Sequence, residues 1–173
     1  MSGASAVSLV PFDQADARLL AEWLARPHVA RWYPDPEDRI EWALKPPPGG
    51  SQALIACDRG PIGYLRWQKV SRETLDSLGL FEIPTGSVDI DILIGEPGEV
   101  GRGLGPKALA LLVDRLRADP TVPLAGLTPS VDNLAAQRAY EKAGFRSLRE
   151  YDAPGIGRGA LMVMRLDQAS HPP

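Results

Sequence analysis

Three glycines two residues apart, Gly101, Gly103 and Gly105, separate a strand pattern from a helix pattern, and no other stretch constrains the chain as strongly. Upstream, Ser87-Val88-Asp89-Ile90-Asp91-Ile92-Leu93-Ile94 alternates branched apolar and acidic residues with the period of a strand. Downstream, Leu104, Ala108, Leu111, Leu112 and Leu116 recur at helical spacing until Asp119-Pro120 ends the run. A glycine turn feeding a helix start leaves backbone N–H groups unpaired and lets an anion reach them without a side chain in the way. The helix dipole adds to the attraction. The stretch Val100-Gly101-Arg102-Gly103-Leu104-Gly105-Pro106-Lys107 therefore reads as a cradle for a pyrophosphate, the alternative being an ordinary turn between strand and helix. Spacing excludes two other phosphate motifs. The dinucleotide fingerprint needs G-x-G-x-x-G, and the nucleotide P-loop needs Ser or Thr after Gly-Lys, where this chain has Gly105-Pro106-Lys107-Ala108.

A length of 173 residues suits one domain over 1–173, with an ordered core over about 7–167, able to bury a continuous core without disulfides or metals. Hydrophobic residues at 44% and charged residues at 24% are values of a soluble globular protein. The net charge of -3 argues against a nucleic-acid partner, which would call for a basic surface. No export signal or membrane span is evident, so a cytoplasmic location is expected. Cys57 is the single cysteine and is expected to be a buried, inert thiol. His28 and His171 have no zinc-ligand spacing, and no metal is expected.

In chain order, Val7 to Phe12 reads as a strand, and Asp13 caps a helix carrying Leu19, Leu20, Trp23 and Leu24 as far as Pro27. The aromatic segment from His28 to Asp35 is either one wall of a substrate cleft or a plug of Trp32 and Tyr33 in the core, with His28 a hydrogen-bonded structural residue. A short helix is expected from Pro36 to Leu44, then a proline-rich loop, then a hairpin of strands over Gln52–Asp58 and Ile62–Val70. Ser71 to Gly86 reads as a loop, with room for a short helix, on the substrate side. After the glycine turn and its helix come a strand over Leu124–Thr128 and a helix from an Asp132 N-cap to Ala143. Two strands, Phe145–Tyr151 and Ala160–Leu166, complete the chain before a loose tail from Asp167.

The glycine turn with its flanking strand and helix, followed by Asn133-Leu134-Ala135-Ala136-Gln137-Arg138-Ala139-Tyr140-Glu141-Lys142-Ala143-Gly144-Phe145, resembles the GNAT N-acetyltransferase superfamily. The resemblance implies an α/β (α+β) fold: a mixed, mostly antiparallel sheet flanked by helices, with a splayed parallel strand pair at an acetyl-CoA site. It further implies that the turn 100–107 holds the pyrophosphate of acetyl-CoA, that the central strand, through Leu93 and Ile94, pairs with the pantetheine arm, and that Asn133 and Tyr140 line the thioester end. Ala136 and Lys142 belong to the same implied cofactor contacts. Val100 stands where the family begins its turn with Gln or Arg.

Within the superfamily the chain is most similar to aminoglycoside 6'-N-acetyltransferases, through Glu22-Trp23-Leu24, Pro27-His28-Val29, Pro61-Ile62-Gly63-Tyr64, Ile90-Asp91, the turn, and Tyr140 to Phe145. Asp91 falls where those enzymes carry the carboxylate that contacts the reacting amine. Thr128 replaces a further acidic residue, and the acidic, tryptophan-rich insert of that group is absent around Phe81 to Thr85.

A protonated amine must lose a proton before it attacks a thioester, and a carboxylate serves both to bind the cation and to accept the proton. Asp91 is the candidate. Asp89 shares its strand face by period-two counting and is either a second negative charge or a solvated edge residue. Tyr140 is either the hydrogen-bond donor to the departing thiolate or a core tyrosine on the helix face of Ala136 and Ala143. Trp32, Tyr33, Asp89, Asp91, Thr128 and Asp152 are the expected acceptor contacts. The expected activity is acetyl transfer from acetyl-CoA to a small polycationic amine, an aminoglycoside first, by a monomer or homodimer. The alternatives are another amine acceptor (a protein N-terminus, polyamine or siderophore amine) and a non-enzymatic acyl-CoA-binding module.

Overall fold

The computed structural model describes residues 5–167, so the tail beyond Asp167 and His171 lie outside the described residues. Strand β1 (Ser8–Pro11) leads into a 3-10 turn (Gln14–Asp16) and three helices: α1 (Ala17–Leu24), α2 (Pro27–Ala30) and α3 (Pro36–Leu44). The hairpin β2 (Gly50–Cys57) and β3 (Gly60–Lys69) follows, then α4 (Arg72–Ser77) and β4 (Val88–Ile94). Helix α5 (Leu104–Arg117), β5 (Leu124–Leu127), α6 (Leu134–Lys142), β6 (Arg146–Ala153) and β7 (Gly157–Arg165) complete the fold. The strands form one sheet in the order β1-β2-β3-β4-β5-β7-β6. Every neighbouring pair is antiparallel except β4 and β5. That parallel pair is joined only at Val88 with Ala125 and Asp89 with Gly126. Beyond Asp89 the two strands part, while β4 stays paired to β3 as far as Ile94. Five of the seven residues of β4, Ile90 to Ile94, thus border an open gap in the middle of the sheet.

The alternation of β4 assigns its two faces. Val88, Ile90 and Ile92 are buried against Leu104, Ala108, Leu109, Leu112, Val113 and Leu116 of α5, each large side chain contributing about 1.5–3 kcal/mol of burial. The opposite face carries Asp89, Asp91 and Leu93, and there Leu93 joins a second cluster with Leu20, Trp23 and Leu24 of α1. Both carboxylates therefore lie on the face opposite α5. The apolar stripe of α5 includes Leu109 and Val113, whereas Leu111 is exposed.

Several local expectations are corrected. Asn133, not Asp132, caps α6, its side-chain oxygen accepting from the Ala136 N–H at 3.1 Å. The segment from Ser71 to Gly86, by contrast, holds the short helix for which the sequence left room, α4, with Ser71 Oγ accepting from the Thr74 N–H at 3.1 Å. Leu75, Leu80 and Ile83 then form a third apolar cluster with Leu124, Leu161 and Val163. Cys57 is only half-buried, packed beside the main core.

Trp23 ties α1 to the end of β4. It is fully buried, its ring lies on the Cα of Gly95, and its Nε1 donates to Glu96 Oε1 at 2.9 Å. Arg26 completes the clasp, with Nη1 2.9 Å from Glu96 Oε2 and 3.1 Å from the Gly95 carbonyl. A methyl group on Gly95 would overlap the indole. Gly95→Ala is expected to destabilise the fold by about 1–3 kcal/mol or more, because the buried ring has nowhere to retreat. Urea unfolding checks this; a midpoint equal to the parent's would show that α1 shifts freely.

Candidate active site

The glycine turn takes the geometry that its composition predicts. Gly101 and Gly103 are left-handed, with φ of +75° and +73°. Gly103 is the N-cap of α5 and supplies no side-chain hydrogen bond, so the first-turn N–H groups of a 14-residue helix face outward. A β-carbon built at Gly101, Gly103 or Gly105 meets no neighbouring atom of the described residues within 4 Å. The space in front of the turn is open, and it is the space a pyrophosphate would fill. The turn is held from behind: Arg59, at the β2–β3 turn, bonds Glu99 through Nε at 2.5 Å and Nη2 at 2.7 Å, and Arg102 lies 3.4 Å from the same carboxylate. This hydrogen bonding keeps the Glu99 carboxyl below the usual carboxylate range. Val100 is exposed, and Lys107 donates to the Ser5 carbonyl at 3.3 Å.

Beside the turn, the gap between β4 and β5 opens onto two adjoining cavities. The smaller, about 60 Å³, is bordered by Trp32, Tyr33, Asp91, Asn133 and Tyr140. The larger, about 260 Å³, runs under α4, with Arg66, Asp89, Asp91, Thr128 and Tyr151 at its polar end and Leu78, Leu80, Ile83 and Leu161 at its apolar end. Arg39, Ile90, Asp91, Thr128 and Ile156 border both cavities, so the two meet beside Asp91 and Thr128. A separate cavity of about 510 Å³ between α5 and β7 contains none of the expected site residues.

Asp91 is not an open carboxylate. Arg39 of α3 is ion-paired to Oδ2, Arg66 Nε lies 3.4 Å from the same oxygen, and the Tyr33 hydroxyl lies 3.1 Å from Oδ1. Aromatic rings hold both arginines in place: Arg39 stacks over Tyr33 at 4.0 Å and Arg66 over Trp42 at 4.7 Å. Burial lowers the Arg39 pKa and raises that of the Tyr33 hydroxyl. The Tyr140 phenol is pushed up to about 12 by burial, so it stays protonated through the neutral range. Tyr33 plays both parts open to it in sequence, since its ring packs against the second core cluster while its hydroxyl reaches the site.

Other expected residues fall as follows. Leu93 is turned from the gap: its side chain is buried and its carbonyl lies against Gly63 of β3. The gap-side carbonyls are those of Ile92, 2.9 Å from the Tyr33 hydroxyl, and Ile94, 3.0 Å from His28 Nε2. Asn133 spends one side-chain oxygen lone pair on capping and still borders the small cavity. Ala136 is half-buried one turn before Tyr140, and Lys142 is exposed in the last turn of α6. Thr128 Oγ1 shares a hydrogen bond of 2.8 Å with the Tyr151 hydroxyl. Asp152 is a correction: its side chain is 92% exposed and pairs with Arg158 at 3.3 Å. Strand alternation turns it to solvent and gives the cavity Tyr151 and Ala153 instead.

Arg39, Arg66 and Tyr151 escaped sequence reasoning. A signal existed for Arg66, which sits opposite Asp91 in the β3–β4 register. None existed for Arg39, 52 positions upstream of Asp91 on a separate helix.

A parallel strand pair that opens beside a glycine-started helix, with a cavity at the opening, is the arrangement of the GNAT class of acetyltransferase. Residues 13–153 match the acetyltransferase (GNAT) domain family, and the chain belongs to it. It is 34% identical over 148 residues to the aminoglycoside N(6')-acetyltransferase type 1 of Klebsiella pneumoniae, covering 80% of this chain and 73% of that one. It is 30% identical over 173 residues to the lysine N-acyltransferase MbtK of Mycobacterium sp. (strain MCS), covering 96% of this chain and 70% of that one. Among solved structures, the aminoglycoside acetyltransferase AAC(6')-Ib in complex with coenzyme A and kanamycin superposes with a TM-score of 0.76 at 29% identity, over 92% of this chain and 95% of that one. Among the described residues no helix is long and apolar enough to cross a membrane, and no group of acidic, histidine or cysteine side chains is placed to hold a metal.

Proposed function

We propose that this protein transfers the acetyl group of acetyl-CoA to a primary amine of a small polycation, with the 6'-amine of an aminoglycoside as the first acceptor to test. The observation that carries the reading is the junction of the two cavities at Asp91 and Thr128, bordered on the smaller side by the protonated Tyr140. The 34% identity to an aminoglycoside N(6')-acetyltransferase supports the choice of acceptor. In this reading acetyl-CoA lays its pyrophosphate on the 101–105 turn and supplies the activated acyl group. The amine enters beside Thr128, and its reacting nitrogen comes to the junction at Asp91. The ammonium first loses one proton to solvent; the neutral nitrogen then forms the bond to the carbonyl carbon as the carbon–sulfur bond breaks, Tyr140 hands its phenolic proton to the thiolate, and the second nitrogen proton returns through water to the phenolate. Most of the acceleration comes from holding the two reactants in line.

One feature supports a second acceptor class. Arg39 and Arg66 face the same cavity, so an acceptor bearing a carboxylate near its amine, such as free lysine, would find a partner there. A thiol-release assay with acetyl-CoA over aminoglycosides, polyamines, lysine and peptide N-termini separates the classes. Aminoglycosides are expected to turn over fastest. Turnover of lysine alone would move the assignment to the second class, and no thiol release with any amine would remove the catalytic reading.

A further inference from the structure

Asp91 is contacted by two arginines, which leaves the cleft's other carboxylate to be explained. Asp89 borders the large cavity and, among the described residues, has neither a hydrogen-bond nor an ion-pair partner. Its side chain is exposed, as the sequence allows, but not at a sheet edge: β4 is a central strand, and Asp89 sits where β4 is still joined to Gly126 of β5, so the solvent it meets is that of the cleft. Water reaches it through the cavity, yet protein surrounds it: Arg39 from α3, Arg66 from β3, Tyr151 from β6, and Asp91 on its own strand. Burial pushes its carboxyl up to about 6, with Arg66 and Arg39 acting in the other direction.

Placement separates the roles of the two carboxylates. Asp91 borders the small cavity with Tyr140, where the thioester is expected, whereas Asp89 borders only the large one. Two residues along a strand is about 7 Å. We infer that Asp89 anchors a second ammonium group of the acceptor, about 7 Å from the nitrogen that is acetylated. The inference rests on the acetyltransferase reading above but not on the identity of the acceptor, since aminoglycosides and lysine both carry a second ammonium. Asp91 takes the direct contacts of Arg39 and Arg66, so among the described residues Asp89 is the cleft carboxylate whose oxygens have no protein partner and stay open to a ligand cation.

The test compares 1,5-diaminopentane with pentylamine as acceptors for the parent protein, Asp89→Asn and Asp89→Glu. The parent is expected to show a KM for the diamine about ten-fold below that for the monoamine, the worth of one charge-assisted contact. Asp89→Asn should erase that difference by raising the diamine KM, with kcat, the monoamine KM and the acetyl-CoA KM little changed, and Asp89→Glu should restore part of it. In the parent, kcat/KM for the diamine should fall as pH drops through about 6, where Asp89 takes up a proton, while the diamine-to-monoamine ratio for Asp89→Asn stays flat. Asp89→Asn should not melt below the parent at neutral pH, because a carboxyl whose pKa is raised on folding opposes folding when ionised. Calorimetric titration of both amines into the complex with coenzyme A decides the point independently of turnover. Equal affinity of the parent and Asp89→Asn for the diamine would overturn the inference, whereas intact diamine preference without thiol release would overturn the acetyl-transfer reading and leave the anchor standing.

Discussion

Gly103→Val should bind acetyl-CoA at least about a hundred-fold more weakly than the parent, a loss of about 2.7 kcal/mol. Two effects act together. The residue sits at φ +73°, a conformation a β-branched side chain strongly resists, so the turn either strains or relaxes away from the geometry that aims its N–H groups outward. A side chain held there would also point into open space, since no neighbouring atom of the described residues lies within 4 Å of its β-carbon, and that space is where the pyrophosphate is proposed to rest. The strain should cost the fold only about 1–2 kcal/mol, so the variant is expected to stay folded at 25 °C. Titration calorimetry with acetyl-CoA, with circular dichroism as the control for folding, gives the answer. A folded Gly103→Val that binds acetyl-CoA as tightly as the parent would remove the phosphate-cradle role of 101–105.

Tyr140→Phe should lower kcat by about a hundred-fold or more, within the range for loss of a positioned general acid, and leave both KM values within a few-fold. The phenol is half-buried on α6 and its pKa of about 12 keeps the proton on oxygen across any practical assay range. Tyrosine deprotonation therefore should not shape the parent's pH profile below about pH 10. Phenylalanine preserves the packing of the ring against the main core, so thermal stability should change little. If steady-state kinetics found kcat within three-fold of the parent, Tyr140 would be a packing residue and the thiolate would take its proton from water.

The paired arginines change how Asp91 can act. A carboxylate held by Arg39, Arg66 and Tyr33 is better placed to fix those three groups around the junction than to accept a proton. Removing it would leave two cations facing each other across the site. This division lets one carboxylate build the site while the other, Asp89, remains available to the ligand.

The amino-acid sequence determined by itself the parts that depend on short-range pattern. The alternation from Val88 to Ile94 requires a strand with an apolar face and an acidic face, because a two-residue period permits no other arrangement beside a buried helix. Gly101 and Gly103 require a left-handed turn before α5, because glycine alone takes that conformation without strain. The helix at Pro36–Leu44 followed from its proline start and the prolines beyond its end. The tertiary structure decided everything that joins distant segments. It brought Arg39 to Asp91, turned Asp152 outward and Tyr151 inward, placed Leu93 in the core, and left Asp89 without a partner among the described residues. Those outcomes depend on how α3 lies over the sheet and on the register of β6 with β7, both set by packing of side chains far apart in the chain, and no local period encodes them.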